Sequence, residues 1–357
     1  MAEENASFEE ALKRSRMIEE DIKEHKERYR VLTGDRPTGS LHIGHLFGSL
    51  RNRVRIQNEG IETFIVIADY QVLTDRESAA MISENIKELT KDYIAAGLDP
   101  ENGRTFIFPH SHVPELNQLL LPFLFLVTNS ELDRNPTVKE EIKATEGRAI
   151  SSGTYIYPVH QAADILAVKG NLVPVGKDQL PHLEIARTIT KRFNKRFPME
   201  KPTFYAPEPL LSEAPMIMGL DGFQKMSKSR GNTIMLKATA DETAALIKKA
   251  KTDSERVITY DPENRPEVAN LLKITSLCTG EAPEAIAERI GDGGAGKLKA
   301  VLTESLNEYL APLRAKRLEL EGNDDYIRSV LTRGIEKARA EASDTLDKVR
   351  KAMNMTI

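Results

Sequence analysis

The feature that most constrains the fold is an alternation of short apolar strands and helices in the first 210 residues. A strand at 30–33 is followed by a glycine- and proline-rich turn, a helix at about 42–57 and a continuous apolar run at 63–68. Such a run is typical of a strand buried on both faces, and strand, helix and strand in this order form a βαβ unit with parallel strands. The alternation continues through further helices and strands at 78–96, 105–108, 162–168 and 172–175. The pattern predicts an α/β fold with a doubly wound, parallel, Rossmann-like sheet.

The second half of the chain has a different pattern, in which helical periodicity dominates and no strand is indicated. The helical segments span 241–251, 267–277, 283–290, 297–320 and 325–353. We therefore predict a helical extension at 1–29, a Rossmann-like domain at 30–214, a mobile loop and linker at 215–240, and a helical domain at 241–357. The last helix could return to the first domain. The extension is interpreted as a helix packed on the domain surface, with a partner-binding arm as the alternative.

Charge and composition narrow the class of protein. Lys and Arg total 50 and Asp and Glu total 54, and this net charge of −4 argues against nonspecific coating of nucleic acid. The one cysteine, Cys278, excludes an internal disulfide framework and a multi-cysteine zinc site. No apolar stretch reaches the roughly 20 residues of a membrane span, and the charged segment 1–29 has no signal-peptide core. We expect a cytoplasmic protein with no membrane partner and no structural metal.

The turn after the first strand leads into Leu41-His42-Ile43-Gly44-His45. A helix N-terminus has free backbone N–H groups that attract phosphate, and a glycine there lets a flat base lie against the helix. His42 and His45 are three residues apart and project from one face, where two imidazoles could donate hydrogen bonds to a phosphate that gains charge in a transition state. The alternative is an ordinary helix start with two solvated histidines.

A second segment suited to phosphate reads Lys-Met-Ser-Lys-Ser-Arg-Gly-Asn at 225–232, after a glycine-rich run at 219–222. Its composition indicates a flexible loop. Lys225 and Lys228 are point charges suited to triphosphate oxygens, and serine and glycine allow the loop to close over a substrate. The alternative is a basic surface loop, but two phosphate-suited elements in one chain favour a nucleotide site.

These two elements resemble the signature sequences of class I aminoacyl-tRNA synthetases, HIGH at 42–45 and KMSKS at 225–229. Their order, with a helical domain behind them, strengthens the resemblance. Further segments are similar to the tryptophanyl-tRNA synthetase branch of bacterial type, and they lie at 34–39, 162–166, 173–179, 192–196, 252–255 and 270–272. The resemblance covers the chain from about residue 30 onward.

The resemblance implies a two-step ligase reaction. The carboxylate of tryptophan attacks the α-phosphorus of ATP, magnesium pyrophosphate leaves, and the adenylate passes its aminoacyl group to the 2′-OH at the 3′ end of tRNA(Trp). Phosphoryl-type transfer depends mostly on positioning and charge stabilisation, so no covalent nucleophile is needed. The resemblance also implies Mg²⁺ with the triphosphate and a homodimer. The residues to which it gives catalytic roles are His42, His45, Lys225 and Lys228.

The resemblance further implies two sets of binding residues. The ATP-binding set is Arg36, Pro37, Thr38, Gly44, His45, Gly176, Lys177, Asp178, Ile217, Lys225, Met226, Ser227, Lys228 and Ser229. The amino-acid-binding set is Leu32, Gln71, Tyr157, Gln161, Asp164 and Val175. Asp164 would accept the indole N–H, the only polar group of that side chain, and helical spacing places Tyr157, Gln161 and Asp164 on one face. A helix cap or ion pair is the alternative role for Asp164, and a plain tight turn is the alternative for 176–179.

Three residues depart from the bacterial tryptophan pattern, because Arg36 replaces a usual Gln, Gln71 a His and Gln161 a Met. Tyr157, Gln161 and Asp164 together also match the tyrosine-specific relatives, and a carboxylate would accept a phenol O–H as well. A tyrosine-specific enzyme is therefore one alternative, although the segments at 252–255 and 270–272 favour tryptophan.

Two other function classes remain open. One is a non-charging paralogue that binds tryptophan or tRNA, but a pure binder has no use for both phosphate elements. The other is a small-molecule nucleotidyltransferase that uses the first element alone, which leaves the helical domain unexplained.

A basic segment offers a candidate tRNA contact. Its cationic residues are Arg187, Lys191, Arg192, Lys195, Arg196 and Lys201, with Phe193 and Phe197 between them. The segment either follows a phosphate backbone or forms an amphipathic helix whose phenylalanines face the core. The sequence leaves both interpretations open.

Overall fold

A computed structural model describes residues 2–74, 81–136, 138–139, 151–176, 180–211 and 217–357. Among these residues, no helix combines the length and the apolar content that are needed to cross a bilayer.

The described residues form a parallel sheet of five strands in the order β3-β2-β1-β4-β5. The strands are β1 (Arg30–Asp35), β2 (Glu62–Ile67), β3 (Thr105–Pro109), β4 (Leu172–Val175) and β5 (Glu208–Leu211). The chain proceeds outward from β1 to β3 on one side and from β4 to β5 on the other, so the strand order reverses between β1 and β4. The predicted doubly wound fold class is therefore confirmed. Ligands of such sheets bind at the carboxyl ends of the strands that flank this point.

Helices cover the sheet and make up the second half of the chain. The first group is α1 (Ala2–His25), α2 (Ile43–His45), α3 (Arg51–Asn58), α4 (Ile82–Ala95), α5 (Pro114–Leu124), α6 (Asn129–Arg134), α7 (Ser152–Ala167) and α8 (Leu180–Arg196). A π-helical turn, Leu46–Leu50, joins α2 to α3. The second group is α9 (Ala240–Lys249), α10 (Pro266–Thr279), α11 (Pro283–Ile290), α12 (Gly294–Leu320) and α13 (Asp324–Ala352). No strand occurs between residues 241 and 357.

Strand β2 explains the continuous apolar run in the sequence. Phe64 and Val66 belong to a buried cluster with α5, α7 and α8, whereas Ile65 and Ile67 belong to the cluster on the other face with α4, α10 and α12. Successive side chains of a strand point to opposite faces, so a strand covered on both faces is apolar at every position.

Helix α1 lies along the outer edge of the sheet. The buried hydroxyl of Ser15 accepts a hydrogen bond from the backbone N–H of Leu211 in β5, at 2.9 Å. Ile22 packs with Val31 and Leu210 in a small buried cluster. This contact covers the edge strand β5, whose free backbone groups would otherwise be open to pairing with another chain.

Helix α13 packs on the opposite edge of the sheet, against β3. A Cβ atom at Gly334 would lie 1.9 Å from the carbonyl oxygen of Ile107, so the helix backbone touches the strand and only glycine fits. Ala338 and Ala342 are fully buried on the same face. Small residues therefore allow this close approach. The predicted boundary at 214 lies outside the described residues, and the four-part division stays a prediction.

Candidate active site

The carboxyl end of β1 is held by an ion pair between the buried guanidinium of Arg53 and the half-buried carboxylate of Asp35. Arg53 donates to both oxygens of Asp35, over 2.5 and 3.1 Å, and the Tyr93 hydroxyl donates to the same carboxylate over 2.6 Å. Burial raises the pKa of Asp35, but the charge of Arg53 and the hydrogen bonds from Arg53 and Tyr93 together outweigh burial, and the pKa falls to about 2. A Cβ at Gly34 would lie 1.9 Å from the carbonyl oxygen of Val66. The turn that follows β1 therefore starts from a rigid base.

His42 and His45 form the start of α2. Nδ1 of His42 accepts from the backbone N–H of Gly44 at 3.1 Å, and Nδ1 of His45 accepts from the backbone N–H of His42 at 3.3 Å. Because Nδ1 accepts in both rings, each neutral ring carries its proton on Nε2, which is left as a donor. Burial lowers the pKa of His42 to about 3, and burial lowers the pKa of His45 to about 4 although Asp35 opposes it. His42 is only 6% exposed and His45 is half-buried, so neither ring is freely solvated.

Two asparagines brace the loop that carries the lysines. Asn232 accepts from the backbone N–H of Ser227 and donates to Asp221, both at 2.9 Å. Asn270, on α10, accepts from the backbone N–H of Met218 at 3.0 Å and donates to its carbonyl oxygen at 3.1 Å. The helical half of the chain therefore holds the first residues of this loop.

The segment after the loop pairs with the residues at the start of α2. The backbone N–H of Ile43 donates to the carbonyl oxygen of Ile234 at 3.0 Å, and that of Leu236 donates to Leu41 at 2.9 Å. These bonds join the segment that follows the second motif to the beginning of the first motif.

Side chains of the loop then complete the contact between the motifs. Lys228 Nζ donates to the carbonyl oxygen of Thr38 at 3.1 Å. The Met226 sulfur would lie 3.4 Å from a Cβ at Gly44, so this glycine permits the close approach. A loop ammonium group therefore meets the turn after β1, and a loop side chain packs against the start of α2.

A cavity of about 410 Å³ opens where the strand order reverses. The residues of the predicted amino-acid-binding set all line it, namely Leu32, Gln71, Tyr157, Gln161, Asp164 and Val175. Arg36, Gly176 and Lys225 of the predicted ATP-binding set line the same cavity. Two predicted sets of residues thus meet in one space.

The other predicted ATP-binding residues lie outside the lining of this cavity. They are Pro37, Thr38, Gly44, His45, Ile217, Met226, Ser227 and Lys228. Ile217 and Met226 are each 4% exposed, and their side chains pack in the core. Lys177 and Asp178 lie outside the described residues, and Ser229 is described only as part of the turn Lys228–Arg230.

Comparison with known proteins decides the family. Residues 23–311 match the family model described as tRNA synthetases class I (W and Y). The tryptophan–tRNA ligase of Streptococcus mutans serotype c is 41% identical over 336 residues, which cover 91% of this chain and 98% of that protein. The tryptophan–tRNA ligase of Lactococcus lactis subsp. lactis is 40% identical over 336 residues, with 91% and 97% covered. The chain belongs to the tryptophan–tRNA ligases.

A solved structure agrees with this membership. The Campylobacter jejuni tryptophanyl-tRNA synthetase, complexed with ADP and tryptophan, has a TM-score of 0.79 and 32% identity, with 91% of this chain and 99% of that chain covered. The predicted resemblance to the tryptophanyl-tRNA synthetases, a branch of the class I aminoacyl-tRNA synthetases, is therefore confirmed.

The surroundings of Asp164 in this ligase contain two histidines that the sequence analysis missed. Nδ1 of His110 lies 3.1 Å from Oδ1 of Asp164, and Nδ1 of His160 lies 3.9 Å from Oδ2. Burial opposes protonation of His110, but the charge and hydrogen bond of Asp164, together with the charge of Asp69, outweigh burial and raise the pKa of His110. His110 directly follows β3, and a polar residue at a strand's carboxyl end is a signal that could have found it.

The basic helix α8 is amphipathic. Phe193 is fully buried, Arg187 pairs with Glu208 at 3.1 Å and Arg192 pairs with Glu131 at 2.6 Å. These contacts favour the interpretation of the segment as an amphipathic helix, because Phe193 faces the core and Arg187 and Arg192 pair with carboxylates of this chain.

Acid should destabilise this ligase through His42 and His45. Their pKa values of about 3 and 4 lie below the ordinary value of 6.5. The unfolded chain therefore takes up protons first, so the stabilisation is present above pH 6.5 and is lost as the pH falls toward 4. Between pH 7 and pH 5 we expect a loss of about 2 kcal/mol for each histidine. Urea unfolding at both pH values should show a smaller loss in His42→Gln, and equal losses would contradict this origin.

Proposed function

We propose that this chain activates L-tryptophan with ATP and transfers the tryptophanyl group to the 3′ end of tRNA(Trp). The observation that carries the proposal is the contact of Lys228 with the turn after β1, next to a cavity that Asp164 and Lys225 line together. An amino acid and a triphosphate bound there would meet, with the carboxylate of one near the α-phosphorus of the other.

In the first step, an oxygen of the tryptophan carboxylate would attack the α-phosphorus, and the bond to the β-phosphate would break. The Nε2–H groups of His42 and His45 are neutral donors suited to the α-phosphate region, because they stabilise added negative charge without losing a proton. Lys225 and Lys228 would stabilise the departing pyrophosphate as point charges.

Magnesium is proposed as part of the substrate. The ammonium groups of Lys225 and Lys228 are cations, so they bind phosphate oxygens and are not ligands for a metal ion. We therefore place Mg²⁺ on the triphosphate oxygens, where it would neutralise charge on the leaving group.

The helical half is proposed to contact the tRNA and to position the loop. Arg265 donates to both oxygens of Asp253, over 2.7 and 2.8 Å, which fixes the segment before α10. Asn270 on α10 then holds the start of the loop at Met218. A tRNA bound to this half would therefore be linked to the lysine loop through one helix.

A homodimer is proposed for the intact enzyme. Leu121 on α5 and Phe125 directly after it are 61% and 74% exposed, which makes an apolar surface that a second copy could cover. Analytical ultracentrifugation of the full chain tests this assembly.

The reaction is tested by ATP–pyrophosphate exchange with each candidate amino acid. We expect exchange with L-tryptophan and about 100-fold less with L-tyrosine, since the pocket must distinguish two donors of different reach. Exchange with tyrosine alone would establish the tyrosine-specific alternative. Exchange with tryptophan but no charging of tRNA(Trp) would establish the non-charging paralogue.

A further inference from the structure

We propose that His110 and His160 are positioning residues that prepare the carboxylate of Asp164 for one N–H donor, and thereby set the preference for an amino acid whose ring carries an N–H group. This inference rests on the proposed role of Asp164 as acceptor of the indole N–H. Asp164 lines the cavity, whereas the two histidines are not among its lining residues. They therefore act through Asp164 and not on the substrate.

The hydrogen bonds of His110 determine where its proton lies. The backbone N–H of Tyr70 donates to Nε2 at 3.0 Å, so the neutral ring has its lone pair on Nε2 and its proton on Nδ1. Asp69 Oδ1 lies 3.4 Å from the same Nε2, and a ring protonated there as well still carries a proton on Nδ1. Nδ1 is 3.1 Å from Oδ1 and 3.3 Å from Oδ2 of Asp164. His110 is fully buried, so this donor has no water to replace it. One side of the carboxylate is therefore permanently satisfied and held in place.

His160 carries its proton on the other ring nitrogen, Nε2. The Asn117 amide nitrogen donates to the Tyr70 hydroxyl at 3.5 Å, so the amide oxygen faces Nε2 of His160 at 3.1 Å. An amide oxygen only accepts, so the proton of His160 lies on Nε2 and its Nδ1 is a lone pair, 3.9 Å from Oδ2 of Asp164. Burial lowers the pKa of His160, which favours this neutral form.

The two arrangements leave Asp164 with unused acceptor capacity. His110 supplies one donor, while His160 presents an acceptor and does not compete for the remaining lone pairs. A donor in the cavity then has a buried, oriented carboxylate to bind. A substrate without that donor leaves the carboxylate unpaired, and such a loss is costly because the group cannot be solvated.

The same three residues have the spacing of a metal site, since one ligand atom from each lies within 4.8 Å of the others. A metal on Nδ1 of His110 would have to displace the proton that the Tyr70 hydrogen bond directs to that atom. The hydrogen bonds therefore favour positioning over metal binding, and the experiment separates the two.

The experiment measures ATP–pyrophosphate exchange by the full chain with L-tryptophan and with 3-(3-benzothienyl)alanine, in which sulfur replaces the ring N–H. We expect His110→Ala to raise KM for tryptophan about tenfold, while kcat and the KM for the sulfur analogue change little. The ratio of kcat/KM for tryptophan to kcat/KM for the sulfur analogue then also falls about tenfold. His110→Asn, whose amide can donate from near the Nδ1 position, should recover part of it. His112→Gln is the matched control, because His112 is exposed in the same turn.

An unchanged ratio of kcat/KM for the two amino acids in a folded His110→Ala would overturn the proposal. If that variant does not fold, the comparison is between His110→Asn and His110→Gln, because only the asparagine places a donor near the Nδ1 position. Equal ratios of kcat/KM for the two amino acids in these two variants would then overturn the proposal. Stoichiometric zinc in the purified protein, with exchange in excess Mg²⁺ lost after zinc removal and restored by added zinc, would replace positioning by a metal site. Absence of tryptophan-dependent exchange in the wild type is a different result, since it removes the proposed function itself.

Discussion

Replacing Lys228 with alanine should lower kcat for tryptophan-dependent ATP–pyrophosphate exchange about 100-fold or more. In the proposed reaction its ammonium group meets the departing pyrophosphate, whose charge grows as the bond to the α-phosphate breaks. The side chain also reaches Thr38 at 3.1 Å, so its loss releases the loop from the turn after β1. An interaction made mainly in the transition state lowers kcat, whereas the KM for tryptophan should change little.

Arg230→Ala is the matched control for this prediction. Arg230 is an exposed cation in the same short turn, Lys228–Arg230, so its removal changes the net charge of the loop equally. Lys228→Arg keeps the positive charge but spreads it over a planar guanidinium group, and we expect exchange activity between that of the wild type and that of Lys228→Ala. Wild-type exchange in Lys228→Ala would exclude that lysine from the mechanism.

Much of the fold and part of the candidate site could be predicted because their signals are local in the sequence. The unbroken apolar run of β2 predicted a strand buried on both faces, and Phe64 and Ile65 do enter opposite clusters. Helical spacing predicted that Tyr157, Gln161 and Asp164 share a face, and the three line one cavity. Each of these inferences needs only the periodicity of a single element.

The remaining features depend on contacts between residues far apart in the chain. Lys228 meets Thr38 across 190 positions, and His110 meets Asp164 across 54. Periodicity carries no information on which distant side chains meet. The tautomers of His110 and His160 follow from neighbours supplied by other elements. A single histidine in a sequence therefore gives no sign of whether it will donate or accept.

Helix α13 illustrates the same limit at the level of packing. Its sequence predicted a long helix, but the place where it packs depends on Gly334, which lets its backbone reach Ile107 of β3. A glycine within a helix usually lowers helix stability by about 1 kcal/mol relative to alanine. Only the structure gives the compensating contact.

The buried carboxylate of Asp164 should be the most sensitive group of the amino-acid pocket. Asp164→Asn should lower kcat/KM for tryptophan by about 100-fold to 1,000-fold, with the KM for ATP changed little. The side chain keeps its size, but one acceptor oxygen becomes an NH₂ group. If that group faces His110, two donors oppose each other, and if it faces the cavity, it opposes the indole N–H.

The control for this prediction is Asp133→Asn, because Asp133 is an exposed aspartate on α6 that accepts only from the Tyr155 hydroxyl among the described contacts, at 2.9 Å. Thermal unfolding of both variants separates a loss of recognition from a loss of stability. The loss of activity toward tryptophan is also compared with the loss toward the sulfur analogue, which has no ring N–H group to donate to residue 164. A variant that loses activity toward tryptophan and the sulfur analogue equally would show that Asp164 maintains the shape of the pocket. A loss confined to tryptophan would show that the carboxylate reads the N–H group.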